Sequence, residues 1–194
     1  MFALESTSTY SQEIKRSRFT ATAAPIADMD AAKDFIARNS IPDANHNCWA
    51  WRVGQNYRFS DDGEPSGTAG KPILQAIDGQ KLDTVAVIVT RWFGGVLLGS
   101  GGLIRAYGGT AALCLQAVPY RPIIPMVQAS VELQFSDLAL VKAKLLAQAD
   151  ARITEERFVE TGAILEIAVP EANTEDVIRK VSDLTNGRAV VSVK

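Results

Sequence analysis

The apolar positions in the middle of the chain predict its central elements. Residues 85–89 form an unbroken apolar run rich in β-branched side chains, and so short a run predicts a strand buried on both faces. Residues 90–102 follow as a glycine-crowded segment, and residues 103–118 have apolar side chains at helical spacing. The pattern therefore predicts a buried strand, a glycine-rich loop and a helix, in that order.

The pattern before this stretch predicts further strands and helices. Residues 45–53 alternate as in a strand, with His46 and Cys48 on one face and Trp49 and Trp51 on the other. The other predicted elements are an extended stretch at 9–24, an amphipathic helix at 28–39, a returning hairpin strand at 57–60, a polar loop at 60–70 and a short helix at 71–77.

Residues 126–194 have a regular pattern of their own. Strand and helix periodicities alternate there in the order βαββαβ, which predicts a ferredoxin-like sandwich. Residues 121–125 contain two prolines and no periodicity, so we interpret them as a linker. The sequence thus predicts an α+β protein with a first domain at 1–120 and a second at 126–194.

Composition narrows the class of protein. A net charge of −2 argues against a surface that binds nucleic acid throughout, but it allows a local basic patch. The basic run Lys15-Arg16-Ser17-Arg18 is either a charged strand edge that discourages aggregation or a contact for a polyanion. No apolar run has the length of a membrane span, so we expect a cytoplasmic protein without membrane contact. The two cysteines, Cys48 and Cys114, are then expected to be buried, unreactive free thiols.

The glycine-rich loop after the predicted central strand is the first candidate site. Its spacing is neither the dinucleotide fingerprint nor the P-loop, and its glycines either face a ligand or allow tight packing. Arg91 and Arg105 bracket the loop with positive charge, which suits a phosphate or a carboxylate. The glycines are Gly94, Gly95, Gly99, Gly101 and Gly102.

The acidic loop at residues 60–70 is the second candidate. Asp61, Asp62 and Glu64 suit a divalent cation, acid–base chemistry, turn formation, or pairing with nearby arginines such as Arg58. A zinc site is rejected because the chain has one histidine and two cysteines, fewer than four nitrogen or sulfur ligands. His46 and Cys48 are either a weak nucleophile pair or, more often, a polar residue beside a buried thiol.

The long motifs around these loops resemble the signature of the IMPACT family. They are KRSRF at 15–19, His46-Asn47-Cys48, SDDGEPSGTAGKPIL at 60–74 and TRWFGGVLLGSGGLIRAY at 90–107. The resemblance covers the whole chain and implies a bacterial two-domain member. It also implies a first domain like domain IV of elongation factor G and a ferredoxin-like second domain.

The resemblance implies a shared surface but no settled reaction, catalytic residue, metal or cofactor. Eukaryotic members regulate translation through a starvation-responsive kinase and carry an additional N-terminal domain. Because Ser17-Arg18-Phe19 lies so near the first residue, we expect the kinase partner not to transfer. The surface carried to this chain comprises His46, Arg58, Asp61, Asp62, Glu64, Gly67, Thr68, Arg91, Gly94, Gly95, Gly99, Gly101, Gly102 and Arg105.

The sequence is consistent with two functions. The first is a non-enzymatic regulator of translation, in initiation or stress, that binds RNA, the ribosome or a translation factor. The alternative is an enzyme acting on a small phosphorylated or anionic substrate. For either function we expect the two loops to meet in one anion-binding pocket, with two helix N-termini directed into it. We also expect that replacing Arg91 and Arg105 with alanine leaves the Tm nearly unchanged.

Overall fold

The chain divides into two units, Met1–Ile123 and Ile124–Lys194. A computed structural model describes residues 1–147 and 151–194. The first unit contains β1 (Phe2–Leu4), β2 (Ser8–Ile14), β3 (Ser17–Pro25), α1 (Met29–Asn39), β4 (His46–Val53), β5 (Asn56–Ser60), α2 (Gly70–Gly79), β6 (Val85–Trp92), α3 (Ser100–Gln116) and β7 (Tyr120–Pro122).

The core of the first unit lies on both faces of a five-stranded antiparallel sheet with the order β2-β3-β6-β4-β5. On the central strand β6, Val87 and Val89 pack with α2 and α3, whereas Ala86 and Ile88 pack with α1. The prediction of a strand buried on both faces is therefore confirmed.

Strand β6 extends further than the sequence predicted. The predicted glycine-rich segment begins at residue 90, but Thr90, Arg91 and Trp92 continue the strand. Arg91 pairs with Phe19 on β3 and with His46 on β4, so ladder hydrogen bonds on both sides hold it in the sheet. This register puts the side chains of Arg91 and His46 on the sheet face that α2 and α3 cover.

The stretch predicted as extended at residues 9–24 is a hairpin of β2 and β3. Lys15 and Arg16 form its turn, with φ angles of 48° and 66°. Two successive left-handed residues match the twist of the flanking strands in a two-residue hairpin turn. The turn presents both basic side chains to solvent.

The predicted linker at 121–125 is partly a strand. Residues Tyr120–Pro122 form β7, which pairs antiparallel with β1 in a two-stranded sheet. A proline is tolerated there because each strand of such a pair has one edge without ladder hydrogen bonds. The first unit therefore continues past residue 120, to Ile123.

The second unit follows the predicted βαββαβ order. Its four-stranded sheet has the order β11-β8-β10-β9, and its buried apolar residues join one sheet face to both long helices. Its elements are β8 (Met126–Gln134), α4 (Phe135–Leu146), β9 (Arg152–Val159), β10 (Gly162–Pro170), a 3₁₀ turn (Glu171–Asn173), α5 (Thr174–Leu184) and β11 (Val190–Val193).

The mixed α+β class predicted for the chain is confirmed by these elements. Within the two described ranges, no helix combines the length and the apolar composition that crossing a membrane requires.

Candidate functional site

The two glycine-rich loops of the first unit meet in one cleft of about 450 Å³. The loop between β5 and α2 contributes Glu64 and Pro65, and the loop between β6 and α3 contributes residues 97–100. His46 and Arg91, at neighbouring positions of β4 and β6, also line it. The structure thus brings the two loops together at one end of the sheet, as the sequence predicted.

Glu64 places a buried carboxylate beside the cleft, with a side chain that is 4% exposed. Its Oε1 accepts hydrogen bonds from Arg91 Nη1 at 2.6 Å and from the Tyr107 hydroxyl at 2.7 Å. Burial raises the pKa of Tyr107 well above its ordinary value, so its hydroxyl keeps the proton that it donates. The carboxylate is thereby charge-balanced and fixed in orientation.

Arg91 is part of this buried network and not a freely available anion ligand. Its side chain is 6% exposed, and its guanidinium carbon lies 5.5 Å and 5.3 Å from the ring centres of Phe19 and Phe93. Replacing it with alanine leaves the charge of Glu64 buried and unpaired, which costs about 3–5 kcal/mol. We therefore expect replacement of Arg91 to lower the Tm, in place of the nearly unchanged Tm expected from the sequence.

His46 is oriented by a backbone carbonyl. Its Nδ1 lies 2.8 Å from the carbonyl oxygen of Asp62, and because a carbonyl oxygen only accepts, Nδ1 carries a proton and donates. Its Nε2 lies 3.8 Å from Glu64 Oε1. Nε2 is thus the ring nitrogen that lies nearer to Glu64.

Helix α3 opens its N-terminus to the cleft. Gly99, at the N-cap with φ 71° and ψ 163°, has a conformation that side chains disfavour, and no side chain of the described residues caps the helix. Gly99 and Ser100 line the cleft, and the first N–H groups of a helix have no acceptor within it. These donors, with the positive end of the helix dipole, favour an anion.

The N-terminus of α2 is closed by Asp61. One carboxylate oxygen accepts from the N–H groups of Ala69 and Gly70 at 3.0 and 2.9 Å, and the other accepts from Gly67 at 2.8 Å. The expectation that two helix N-termini feed the pocket is therefore wrong, because the side chain of Asp61 already occupies the donors of one.

The remaining polar residues of the acidic loop stabilise the loop itself. Asp62 accepts from the backbone N–H of Asn47 at 2.5 Å, and the Thr68 hydroxyl donates to the carbonyl of Pro65 at 2.6 Å. Of the alternatives for this loop, Asp61 and Asp62 thus serve the local backbone, and Glu64 pairs with an arginine. Within the described part of the chain, no group of three or more His, Cys, Asp or Glu residues is arranged to hold a metal ion.

The glycines divide between packing and the cleft. A Cβ at Gly94 would lie 1.9 Å from the carbonyl oxygen of Arg16, so this glycine allows the β2–β3 turn to pack on the loop. Gly99 alone of the predicted glycines is a lining residue of the cleft. Gly95 has a left-handed φ of 82°, while Gly101 and Gly102 lie in the first turn of α3.

Arg58 and Arg105 do not share the cleft with Arg91. Arg58 is exposed and pairs with Trp51, so it lies on the sheet face opposite the one that carries His46. Arg105 lines a neighbouring groove of about 260 Å³ together with Lys15. The side chain of Arg105 folds back along the first turn of α3, where its Nη1 would lie 3.6 Å from a Cβ at Gly101, but it lines the neighbouring groove and not the cleft.

Both thiols are fully buried, as the sequence predicted. Burial raises the pKa of Cys48 to about 12, and the Cys48 thiol donates to the carbonyl of Asp61 at 3.0 Å. Burial also raises the pKa of Cys114. The hypothesis that His46 and Cys48 form a nucleophile pair loses support, because the ring of His46 is directed to Asp62 and Glu64 and not to Cys48.

The residues that hold the buried network around Glu64 in place are not apparent from the sequence pattern. Helical spacing within residues 103–118 places Tyr107 on the apolar face, and a buried tyrosine hydroxyl normally requires a hydrogen-bond partner, which indicates a polar neighbour there. Ser17, whose hydroxyl accepts from Arg91 Nη2 at 3.3 Å, gave no such signal. The sequence pattern also does not indicate that the ring of Phe93, which is 44% exposed, lines the cleft.

The fold and the site define an α+β protein of two units with a cleft between two glycine-rich loops. Residues 15–115 match the family model for the Impact N-terminal domain, and residues 131–188 match a domain of unknown function (DUF1949). The chain belongs to the IMPACT family, as the motifs predicted.

Similar proteins cover nearly the whole chain. An IMPACT family member in the pol 5′ region of Thermus thermophilus is 43% identical over 90% of this chain and 97% of its own length. YigZ of Escherichia coli K12 is 36% identical over 91% of this chain and 89% of its own. A crystal structure described as a hypothetical protein superposes with a TM-score of 0.75 and 34% identity, over 98% of this chain and 95% of that one.

Proposed function

We propose that this chain regulates translation by binding RNA through its first unit. One observation carries the proposal: the cleft lies beside a basic groove whose charged lining residues, Lys15 and Arg105, are both positive. Arg16 extends the basic surface at the tip of the β2–β3 turn. Clustered lysine and arginine side chains bind phosphates without requiring a basic protein overall, which fits a chain of net charge −2.

The groove and the cleft form one continuous surface. Leu98 lines both of them, and the close approach of Arg16 to Gly94 holds the basic turn against the same loop. A strand of RNA that crosses the groove therefore reaches the N-terminus of α3 without leaving the unit.

Family membership supports a role in translation, because the eukaryotic proteins that the motifs resemble regulate translation. We also infer that the first unit has the fold of domain IV of elongation factor G and that the second is ferredoxin-like, as the resemblance implies. A fold likeness supports the choice of process but not an activity. The proposal covers RNA of the ribosome and messenger RNA alike.

A cell-free translation reaction tests the proposal. Added wild-type chain should change the yield of a reporter, and the double variant Lys15→Glu, Arg105→Glu should lose that effect because it reverses the charge of the groove. Arg38→Glu on α1 is the matched control, since it reverses an exposed charge on the opposite sheet face. Equal effects of the wild type and the double variant would refute the proposal.

An enzyme acting on a small anionic substrate is the second candidate. The observation that favours it is the 3.8 Å approach of His46 Nε2 to Glu64 Oε1 beside an anion-favouring helix N-terminus. A carboxylate next to an imidazole can pass a proton to or from a bound substrate. Saturable binding of a small anionic ligand, together with no affinity for RNA, would favour this candidate over the first.

A further inference from the structure

We propose that the cleft is a binding site for one ribonucleotide unit, with its phosphate at the N-terminus of α3 and a ribose hydroxyl donating to Glu64. The inference deepens the proposed function, on which it rests, by naming the chemical unit that the first unit of the chain selects. It draws on two independent features of the cleft, one for an anion and one for a hydrogen-bond donor.

The anion feature is the start of α3, a helix of 17 residues. Its first N–H groups lack intrahelical acceptors, no side chain in the described ranges caps them, and Gly99 and Ser100 bring them to the cleft wall. The Ser100 hydroxyl can add a further donor beside them. A singly bonded phosphate with free oxygens suits such a set of donors.

The donor-selective feature is the buried carboxylate of Glu64. Arg91 and Tyr107 both donate to Oε1, whereas no hydrogen bond from the described residues reaches Oε2, although the side chain lines the cleft. The Nε of Arg91 is also buried without a partner within the described part of the chain, but its N–H is a donor and calls for an acceptor on the ligand. A side chain that is 96% buried, with one held oxygen and one unengaged oxygen, is built to accept from a ligand hydroxyl or amino group.

The charges of these two features are compatible with one ligand. The guanidinium of Arg91 lies 2.6 Å from Glu64 Oε1 and balances its charge, so the carboxylate does not make the cleft net negative. The phosphate and the hydroxyl must then belong to different parts of the ligand. A nucleotide has this construction, since its phosphate and its 2′-hydroxyl are carried by one sugar.

Apolar side chains at the cleft provide a surface for the base. Phe93 is 44% exposed and Leu97 is 83% exposed, and both line the cleft. An aromatic ring stacks with any base, and the 2′-hydroxyl is the group that lets a protein distinguish RNA from DNA. The site therefore selects ribose over deoxyribose while tolerating different bases.

The single histidine of the chain makes the site directly observable. His46 lines the cleft, so its ring gives one NMR signal that reports ligand binding there. The full-length chain is titrated with adenosine 5′-monophosphate, its 2′-deoxy form and adenosine, and then with a short single-stranded oligoadenylate RNA. Phe93→Ala is compared with Phe59→Ala, which removes a similarly exposed ring on β5.

The expected result is a saturable shift of the His46 signal with adenosine 5′-monophosphate. Affinity should fall about tenfold or more for the 2′-deoxy form, because it lacks the hydroxyl that donates to the charged Glu64 carboxylate. It should fall similarly for adenosine, because adenosine lacks the phosphate. Phe93→Ala should weaken binding, and Phe59→Ala should leave it unchanged. Oligoadenylate RNA should shift the same signal.

Two failures are distinguishable. If the RNA binds but neither it nor the nucleotide shifts the His46 signal, the inference about the cleft is wrong and the proposed function stands. If the nucleotide shifts the signal with the stated preferences while RNA does not bind, the cleft selects a free nucleotide and the proposed RNA function is wrong. Equal affinity for ribose and deoxyribose forms would overturn the role assigned to Glu64.

Discussion

At the scale of single residues, the cleft depends on the carboxylate of Glu64 and on the groups that hold it. Arg91 balances its charge, and Tyr107 fixes its orientation through a hydroxyl whose ring is fully buried. Because both donors meet one oxygen, loss of either changes how the other oxygen is presented to the cleft.

Tyr107→Phe tests this arrangement with almost no change in packing. The variant keeps the ring but removes the donor to a buried, charged acceptor, so the free energy of unfolding should fall by about 1.5–3 kcal/mol. Tyr57→Phe is the control, since Tyr57 is 53% exposed on β5, and its effect should stay within about 0.5 kcal/mol. Urea unfolding measures both, and equal stability of Tyr107→Phe and the wild type would contradict the network.

The raised pKa of Cys48 predicts that the stability of the folded chain decreases at alkaline pH. Burial raises its pKa from 9.0 to about 12, so above about pH 9 the unfolded chain loses the thiol proton that the folded chain retains. This contribution is fully present below pH 9 and is lost as the pH rises toward 12. Cys48→Ala removes it, and the fall of unfolding free energy with pH above 9 should become shallower by up to about 1.4 kcal/mol per pH unit.

The slope, not the absolute stability, is the readout for Cys48. Alanine leaves a small cavity and lowers stability at every pH, whereas the missing proton changes only the alkaline slope. Denaturant unfolding between pH 8 and pH 10 measures it. Parallel profiles for Cys48→Ala and the wild type would mean that the thiol titrates normally in the folded chain.

At the scale of elements, α3 carries two adjacent glycines with different surroundings. A Cβ at Gly108 would meet Pro72 of α2 at 3.4 Å, which explains the close approach of the two helices, while a Cβ at Gly109 would meet nothing within 4 Å. The close contact between α2 and α3 therefore lies at Gly108 and not at Gly109.

Gly109→Ala should therefore stabilise the protein. The substitution adds no clash and removes the penalty of glycine in a helix interior, about 0.8–1 kcal/mol. Gly94→Ala is the contrasting variant, because its Cβ would lie 1.9 Å from the carbonyl oxygen of Arg16 and force the β2–β3 turn away, at about 1–3 kcal/mol. Thermal unfolding compares them, and a Tm decrease for Gly109→Ala would show an unrecognised contact.

Most elements were predictable because their periodicity and boundary residues agree. The strand at 85–89 is apolar throughout, and Asp28 caps α1 by accepting from Asp30 and Ala31. The strand character of Arg91 was not predictable, because it depends on pairing with residues 72 and 45 positions away. Long-range pairing is also why residues 121 and 122, predicted as part of the linker, belong to a strand that pairs with β1.

The site was predictable in position but not in detail. Glycine spacing placed both loops at strand and helix ends, and the loops do meet. The glycine spacing does not show which arginine is buried, which helix N-terminus stays open or which glycine serves only packing. These features depend on contacts that form only in the folded chain. Asp61, for example, closes one N-terminus through three hydrogen bonds that span at most nine residues of sequence.

At the scale of the whole molecule, the chain has two units with separate cores. The first is built on the five-stranded sheet, and the second on the four-stranded sheet with α4 and α5. The buried residues of the second core all belong to the unit Ile124–Lys194. Each unit therefore contains the apolar contacts that its own folding requires.

Residues 124–194 should fold when expressed alone. The isolated unit should give a cooperative thermal transition and a circular dichroism spectrum of mixed helix and strand, because its sheet and both helices share one core. A disordered fragment, or a gradual loss of signal on heating, would contradict the independence of the unit.

The central claim is that the first unit binds RNA phosphates through Lys15 and Arg105, and the salt dependence of RNA affinity tests it most directly. Each phosphate contact on single-stranded RNA contributes about −0.7 to the slope of log affinity against log salt. The double variant Lys15→Ala, Arg105→Ala should therefore have a slope shallower than that of the wild type by about 1.4. Identical slopes for the two proteins, or wild-type binding that does not weaken with salt, would contradict the account.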